Sequence, residues 1–390
     1  MDFENFHCLG ETSVEEFLAD YWQKKPLLIR NAFPNIESPI TAEELAGLAC
    51  EQNVNSRIVI EKHAKKPWQL EFGPFDEERF SNLPESHWSL LVSDVEKHLP
   101  EAKSLVKPFR FIPDWRIDDL MISYAPSGGS VGAHTDAYDV FLLQLSGQRL
   151  WQISESFNDE ILNDTDLCIL KNFSAEQEWL LNPGDMLYLP PNVAHHGVAQ
   201  PSSDTDDNQS HCMTASIGFR APSLQTISSD YIQYLNENKP SSVRYQDINP
   251  TLPEHHAEIS EETVTHFIHY IKQGLIIERD DVRRWLGQYC SDNKAFEENA
   301  NEQTDYSYEQ LANSAKHTVL QVSPFSHFLF NQTDMQTLLF VDGESFEVSN
   351  AFAKLICSDE IIEFQKLEKI MNDNEKSILL YLINNGSLAC

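Results

Sequence analysis

Positive charge is scarce in this chain: 28 lysines and arginines stand against 61 aspartates and glutamates among 390 residues, a formal net charge of −33. Such a surface repels a phosphate backbone, which argues against direct nucleic-acid binding, and it attracts basic partners. Solubility or a saline habitat would leave the same balance, so the total alone selects no partner. No stretch reaches the roughly 18 consecutive apolar residues of a membrane-spanning helix. Met1-Asp2-Phe3-Glu4-Asn5 lacks the basic and apolar runs of an export signal. The seven cysteines are scattered, odd in number and without a Cys-x-x-Cys pair. That pattern is neither a disulfide framework nor a zinc site, and it makes a reducing cytoplasm the expected compartment.

What is present can build a core, with 41% hydrophobic and 11% aromatic residues, and the length fits two or three domains. Ser13-Val14-Glu15-Glu16 and Thr41-Ala42-Glu43-Glu44 read as capping boxes opening two helices, with Lys25–Arg30 a short strand between them. A longer helix is expected over His87–His98. From about Phe109 to Phe219 short strands take over: Asp119–Ala125, Asp139–Leu145, Arg149–Ser154, Glu178–Leu181, Asp185–Leu189, His196–Ala199 and Met213–Phe219. Gly, Pro, Ser and Asn punctuate them, as in Pro126-Ser127-Gly128-Gly129-Ser130 and Asn182-Pro183-Gly184-Asp185, and a jelly roll fits. Leu142 and Leu143 break strict alternation, as expected of a strand covered on both faces.

After Arg220-Ala221-Pro222 the pattern turns helical. Apolar stripes run through Leu224–Leu235, Val264–Ile271 and Val282–Tyr289, faces that fit a second copy of the chain or the β-domain equally well. Ser291–Ser307 is polar and reads as a linker. Beyond it come a helix near Tyr308–Ala315, a hairpin at Asp342-Gly343, and helices near Asn350–Cys357, Glu360–Ile370 and Glu375–Ile383, together a candidate winged helix. Residues 301–390 hold 13 acidic and five basic residues and no arginine, which opposes a DNA-binding use.

The chemistry centres on Gly132-Ala133-His134-Thr135-Asp136 and Pro190-Pro191-Asn192-Val193-Ala194-His195. On an extended strand His134 and Asp136 share a face, and His195 follows 61 residues later at the start of another strand. Two imidazoles and one carboxylate are the facial ligand set of non-heme Fe(II), which leaves coordination positions open for a bidentate co-substrate and dioxygen (O2). Arg149 opens a later strand expected in the same sheet. A cation in an apolar strand needs an anion, either a dicarboxylate co-substrate or an acid of its own chain. His196 points away from His195 on a strand and is expected away from the metal.

Several ordered motifs then carry a resemblance. Tyr21–Arg30, Gly132–Phe141, Gly147-Gln148-Arg149-Leu150-Trp151, Pro183–Pro191 and Ser216–Pro222 resemble those of the bacterial JmjC-type ribosomal oxygenases. The resemblance implies a mainly β fold with α: a double-stranded β-helix (JmjC/cupin-like jelly roll) over 1–222, a helical dimerisation region over 223–300 and a winged-helix-like domain over 301–390. It implies a homodimeric Fe(II)- and 2-oxoglutarate-dependent dioxygenase that hydroxylates the β-carbon of an arginine in the sixteenth large-subunit ribosomal protein, a basic substrate. By motif position His134, Asp136 and His195 would hold iron. Arg149, with Ser123, would hold the distal carboxylate of 2-oxoglutarate, and Thr214 would lie near the co-substrate where the family carries an Asn-Tyr-Ser run. Tyr138 and Asp139 are the candidates for the substrate guanidinium. Competing expectations are a histidyl hydroxylase or another JmjC oxygenase, a metal cupin that works without 2-oxoglutarate, and a non-catalytic regulator.

Overall fold

Strand after strand of the first unit buries side chains on both faces, and that double burial sets the architecture. The computed structural model describes residues 8–63, 66–163, 165–201, 212–246, 252, 255–292, 306–314, 319–358 and 361–390. It divides into two compact units, Met1–Ala221 and Pro222–Cys390. No helix of the described residues is long and apolar enough to cross a membrane.

The strands of the first unit are β1 (Leu27–Ile29), β2 (Ser56–His63), β3 (Lys66–Phe72), β4 (Trp88–Val92), β5 (Ile117–Ala125), β6 (Val140–Ser146), β7 (Arg149–Ser154), β8 (Gln177–Leu181), β9 (Met186–Leu189), β10 (Ala194–Ala199) and β11 (Cys212–Phe219). They form an eight-stranded antiparallel sheet in the order β1-β9-β6-β11-β5-β4-β2-β3 and a three-stranded sheet β10-β7-β8. Val140 and Leu142 pack with Trp151, Ile153, Leu181 and Val193 between the two sheets. Their neighbours Phe141 and Leu143 point the other way, into a core shared with Phe17, Leu45 and Phe109 from the helical layer. This is the jelly roll, and it explains why Leu142 and Leu143 do not alternate with polar residues.

Caps hold the helical layer in register. Thr41 and Glu44 close a full capping box. Ser13 caps its helix through a single bond from the Glu16 amide, 3.1 Å, without the reciprocal bond that the sequence pattern leads one to expect. The helix expected over His87–His98 is corrected: Trp88–Val92 is β4, with every residue buried, and only Val95–His98 is helical. A strand covered on both faces shows no period of two, so its apolar run passes for helix. The strands β2 and β3 were not expected at all.

In the second unit the helices Leu224–Asn238 and Arg279–Ser291 bury Tyr234, Leu235 and Trp285 together. The helix Glu261–Gly274 buries no residue, leaving Val264, Phe267, Ile268 and Ile271 exposed. Further on, β12 (Val319–Val322), β13 (Phe328–Gln332), β14 (Thr337–Val341), β15 (Glu344–Val348), β16 (Ile361–Glu363) and β17 (Leu388–Ala389) form two three-stranded sheets. The hairpin β14–β15 turns at Asp342-Gly343, both at positive φ as the sequence signal requires. The helix expected over Glu360–Ile370 begins as β16 and is helical only over Phe364–Glu368. The stretch Ser291–Ser307 lies almost wholly outside the described residues.

Candidate active site

Backbone pairing brings the proposed ligands together. His134 and His195 form an isolated antiparallel bridge, exchanging N–H···O bonds of 3.0 and 2.9 Å, while the Asn192 amide donates to the Asp136 carbonyl at 2.8 Å. His134 and Asp136 therefore sit on a loop pinned to the start of β10, not on an extended strand of their own. Gly132, at φ +84°, makes the turn into this loop, and a Cβ there would meet the Ile169 side chain at 2.9 Å. His195 Nε2 lies 3.5 Å from one Asp136 carboxylate oxygen, and His134 Nε2 lies 4.0 Å from the other. Among the described residues these three alone form a cluster able to hold a metal ion.

The second nitrogen of each ring fixes its tautomer. His134 Nδ1 lies 3.0 Å from the Gly132 carbonyl and His195 Nδ1 lies 3.0 Å from the Val193 carbonyl. A carbonyl only accepts, so each Nδ1 carries the proton and each Nε2 keeps a lone pair for a cation. Burial holds the His195 imidazole well below its usual pKa and raises the Asp136 carboxyl. A divalent cation would offset both costs. His196 projects elsewhere and packs edge-on against Phe173, as expected for a residue that does not ligate.

The three ligand atoms open into a cavity of about 460 Å³ between the sheets. Its floor follows from register: Ser123 pairs with Thr214 and Met121 with Ser216, so alternate residues of β5 and β11 share the inner face. Arg149 projects from the opposite wall. Its strand belongs to the smaller sheet with His195, which corrects the expectation of one common sheet. It lies four residues along β7 from Ile153, the partner of His195, about 13 Å of strand from the metal ligands.

Arg149 is 4% exposed, and Nη1 donates to the Gly197 carbonyl at 3.3 Å. Its Nε and Nη2 find no acceptor among the described residues. The reading in which an acid of the chain satisfies it therefore fails. A buried guanidinium with two free donors at one end of a cavity, and three metal-ligand atoms at the other, fits a dicarboxylate that chelates a metal. Ser123 and Thr214 also line the cavity. The Ser123 hydroxyl donates to the Thr214 carbonyl at 3.3 Å, and the Thr214 hydroxyl donates to Gln144 Oε1 at 3.2 Å.

At the other end stands Tyr138, 42% exposed, near Asp136. Asp139 does not join it. That carboxylate is fully buried, accepting from Tyr188 Oη at 2.6 Å and Gln23 Nε2 at 2.9 Å with Arg116 at 3.4 Å, and it is not part of the cavity wall. Three carboxylates do line the cavity: Asp136 of the metal cluster, Asp118, which pairs with Arg220 at 3.1 Å, and Asp119. Asp119 forms no salt bridge among the described residues, and burial, with Asp94 and Asp118 nearby, pushes its carboxyl up to about 7. The signal for it was available in the sequence: Asp119, Met121 and Ser123 stand at alternate positions of one strand, so a cavity-facing Ser123 implies a cavity-facing Asp119.

Known proteins resemble this chain in sequence and fold. The JmjC domain family model matches residues 104–227. The chain is 35% identical over 280 residues to the ribosomal protein uL16 3-hydroxylase of Escherichia coli, covering 72% of this chain and 71% of that protein. It is 41% identical over 224 residues to a probable ribosomal oxygenase of Haemophilus influenzae, covering 56% of this chain and 53% of that one. A solved structure of YcfD, a ribosomal oxygenase from Escherichia coli, in complex with cobalt and 2-oxoglutarate, superposes with a TM-score of 0.80 at 30% identity, covering 96% of this chain and 97% of that one.

Proposed function

The chain belongs to the JmjC-domain ribosomal oxygenases, and from that premise we propose that it hydroxylates the β-carbon of an arginine in the large-subunit ribosomal protein uL16. The observation that carries the reading is Arg149, buried with two unpartnered donors in the cavity that also holds the His134–Asp136–His195 cluster. A cupin using the metal alone would leave those donors without a purpose. Bound Fe(II) and 2-oxoglutarate supply the activation of dioxygen that puts one oxygen atom into an unactivated C–H bond, with succinate and carbon dioxide as the other products.

The protein's own work is positioning and exclusion of water. His134 and His195 present Nε2, and Asp136 presents its carboxylate. Arg149 receives the distal carboxylate of 2-oxoglutarate, with Ser123 and Thr214 alongside. Trp151 packs between Arg149 and His195, its ring 5.7 Å from the guanidinium carbon and 5.9 Å from the imidazole, and keeps that wall dry. Asp119, in the role the sequence reading gave to Asp139, and Tyr138 receive the substrate guanidinium at the mouth. An unpaired carboxylate there favours a cationic side chain over a neutral imidazole.

The exposed stripe Val264, Phe267, Ile268 and Ile271 supports a homodimer through a helical region spanning 223–300. The hairpin and helices of 301–390 support a winged-helix-like domain, the jelly-roll domain ending near residue 222. A cytoplasmic location follows from a ribosomal-protein substrate. The test is incubation of the full chain with Fe(II), 2-oxoglutarate, air and a panel of ribosomal-protein peptides. A uL16 peptide is expected to gain about 16 Da, and its counterpart with citrulline at the target arginine is expected to react poorly. Asp119→Asn should raise KM for the arginine peptide about tenfold or more, while 2-oxoglutarate binding stays unchanged. Hydroxylation of a histidine peptide in place of the arginine one would overturn the assignment.

A further inference from the structure

Three residues lining the cavity bury donor atoms that find no partner among the described residues: Arg149, Trp151 and Ser89. Ser89 is the one that the reaction as described leaves without a part. It lies in β4 and is 1% exposed. Leu91 pairs with Ser123 and Ser89 with Val59, so Ser89 faces the cavity from the same side of the sheet as Ser123, one strand over and one pleat deeper.

Contacts on the far side tie that depth to Arg149. Arg149 pairs with Ala199 across β7 and β10. The Ala199 amide donates to the Gly129 carbonyl at 3.0 Å, and the Gly128 amide donates to the Ala199 carbonyl at 2.9 Å. Gly129 in turn lies so close to β4 that a Cβ on it would fall 2.2 Å from the Trp88 carbonyl oxygen. The turn at Gly128-Gly129 thus joins the Arg149 end of the small sheet to Trp88-Ser89 of the large one. Ala125, Ala199 and Cys212 close the floor behind them.

We propose that the Ser89 hydroxyl is a further hydrogen-bond donor to the distal carboxylate of 2-oxoglutarate, beside Arg149; the inference rests on the co-substrate assignment above. A carboxylate has more lone pairs than the two free Arg149 donors fill, and a charged acceptor makes such a bond stronger than a neutral one. Without the ligand, the hydroxyl is a buried polar group among Val59 and Leu91 that has given up water for nothing. Ser89 is therefore a binding residue that weakens the empty protein and strengthens the loaded one.

The test uses the full chain loaded with Co(II), kept free of air and titrated calorimetrically with 2-oxoglutarate and with 2-oxovalerate, which has the same chain length but no distal carboxylate. Ser89→Ala is expected to weaken 2-oxoglutarate about five- to tenfold and to leave 2-oxovalerate unchanged. Ser89→Thr, which keeps the hydroxyl, is expected to retain most of the affinity. The ligand-free Ser89→Ala protein should melt no lower than wild type. Unchanged 2-oxoglutarate affinity in Ser89→Ala, equal weakening of both acids, or a lower melting temperature without ligand would each overturn the proposal. Arg149→Gln, measured in parallel, separates the two levels. If Arg149→Gln weakens 2-oxoglutarate and Ser89→Ala does not, only the role of Ser89 falls. If neither does, the co-substrate assignment falls and takes Ser89 with it.

Discussion

Arg149→Gln is expected to raise the 2-oxoglutarate concentration for half-maximal turnover by about a hundredfold or more while leaving metal affinity near wild type. Arg149 lines the cavity, and two of its N–H donors, on Nε and Nη2, have no acceptor among the described residues. Each bond from a charged donor to a carboxylate is worth about 1.5–3 kcal/mol. Losing two such bonds costs at least about 3 kcal/mol, which is more than a hundredfold in affinity. Arg149→Lys should recover little of it, because an ammonium cannot reproduce the planar two-point contact. A calorimetric titration of the metal-loaded variants checks both statements. The stability of Arg149→Gln should not fall greatly, since among the described residues the wild-type guanidinium has only the Gly197 carbonyl, at 3.3 Å, as a hydrogen-bond partner, beside the Trp151 ring.

His134→Ala should remove most of the metal affinity, by a factor of at least about a hundred, whereas His196→Ala should keep it within a few-fold. The two histidines differ in what they face. His134 presents Nε2 toward Asp136 and is oriented by the Gly132 carbonyl. His196 is the immediate neighbour of His195, and its ring meets Phe173 instead. Alanine at 134 keeps the backbone bridge to His195, so the loss is of a ligand and not of the loop. Equilibrium dialysis with Fe(II) under nitrogen reads the difference, and equal losses in both variants would show that the ligand set is wrong.

These expectations trace to features with very different visibility in the sequence. The strand Arg149–Ser154 could be placed to the residue, because Ser146-Gly147-Gln148 punctuates its start. The metal cluster was legible because its residue types and spacing are restrictive. What could not be read was depth. Asp139 stands just before β6, and nothing in its spacing shows that it is sealed under Tyr188 and Gln23, whereas alternation with Ser123 along β5 does mark Asp119 as facing the cavity. The sealing of Asp139 is made by which strand lies next to which, and local spacing carries no information about neighbours distant in the chain. The same limit hid β4, whose residues are buried on both faces and show no period. It also hid the division of strands between two sheets, which sets Arg149 and Ser123 on opposite walls. Ser89 was invisible for the same reason, since an isolated serine within an apolar run has no signature until its missing partner is seen.

The central claim is that one cavity couples 2-oxoglutarate to oxidation of a basic ribosomal protein. The most direct measurement is the ratio of succinate to hydroxylated uL16 peptide in a single reaction with the full chain, Fe(II), 2-oxoglutarate and air. The account predicts a ratio of about one, with both products lost in His134→Ala and both restored only by raised 2-oxoglutarate in Arg149→Gln. Succinate formed at the same rate with or without peptide, or no product heavier by about 16 Da from any basic ribosomal-protein peptide, would contradict it.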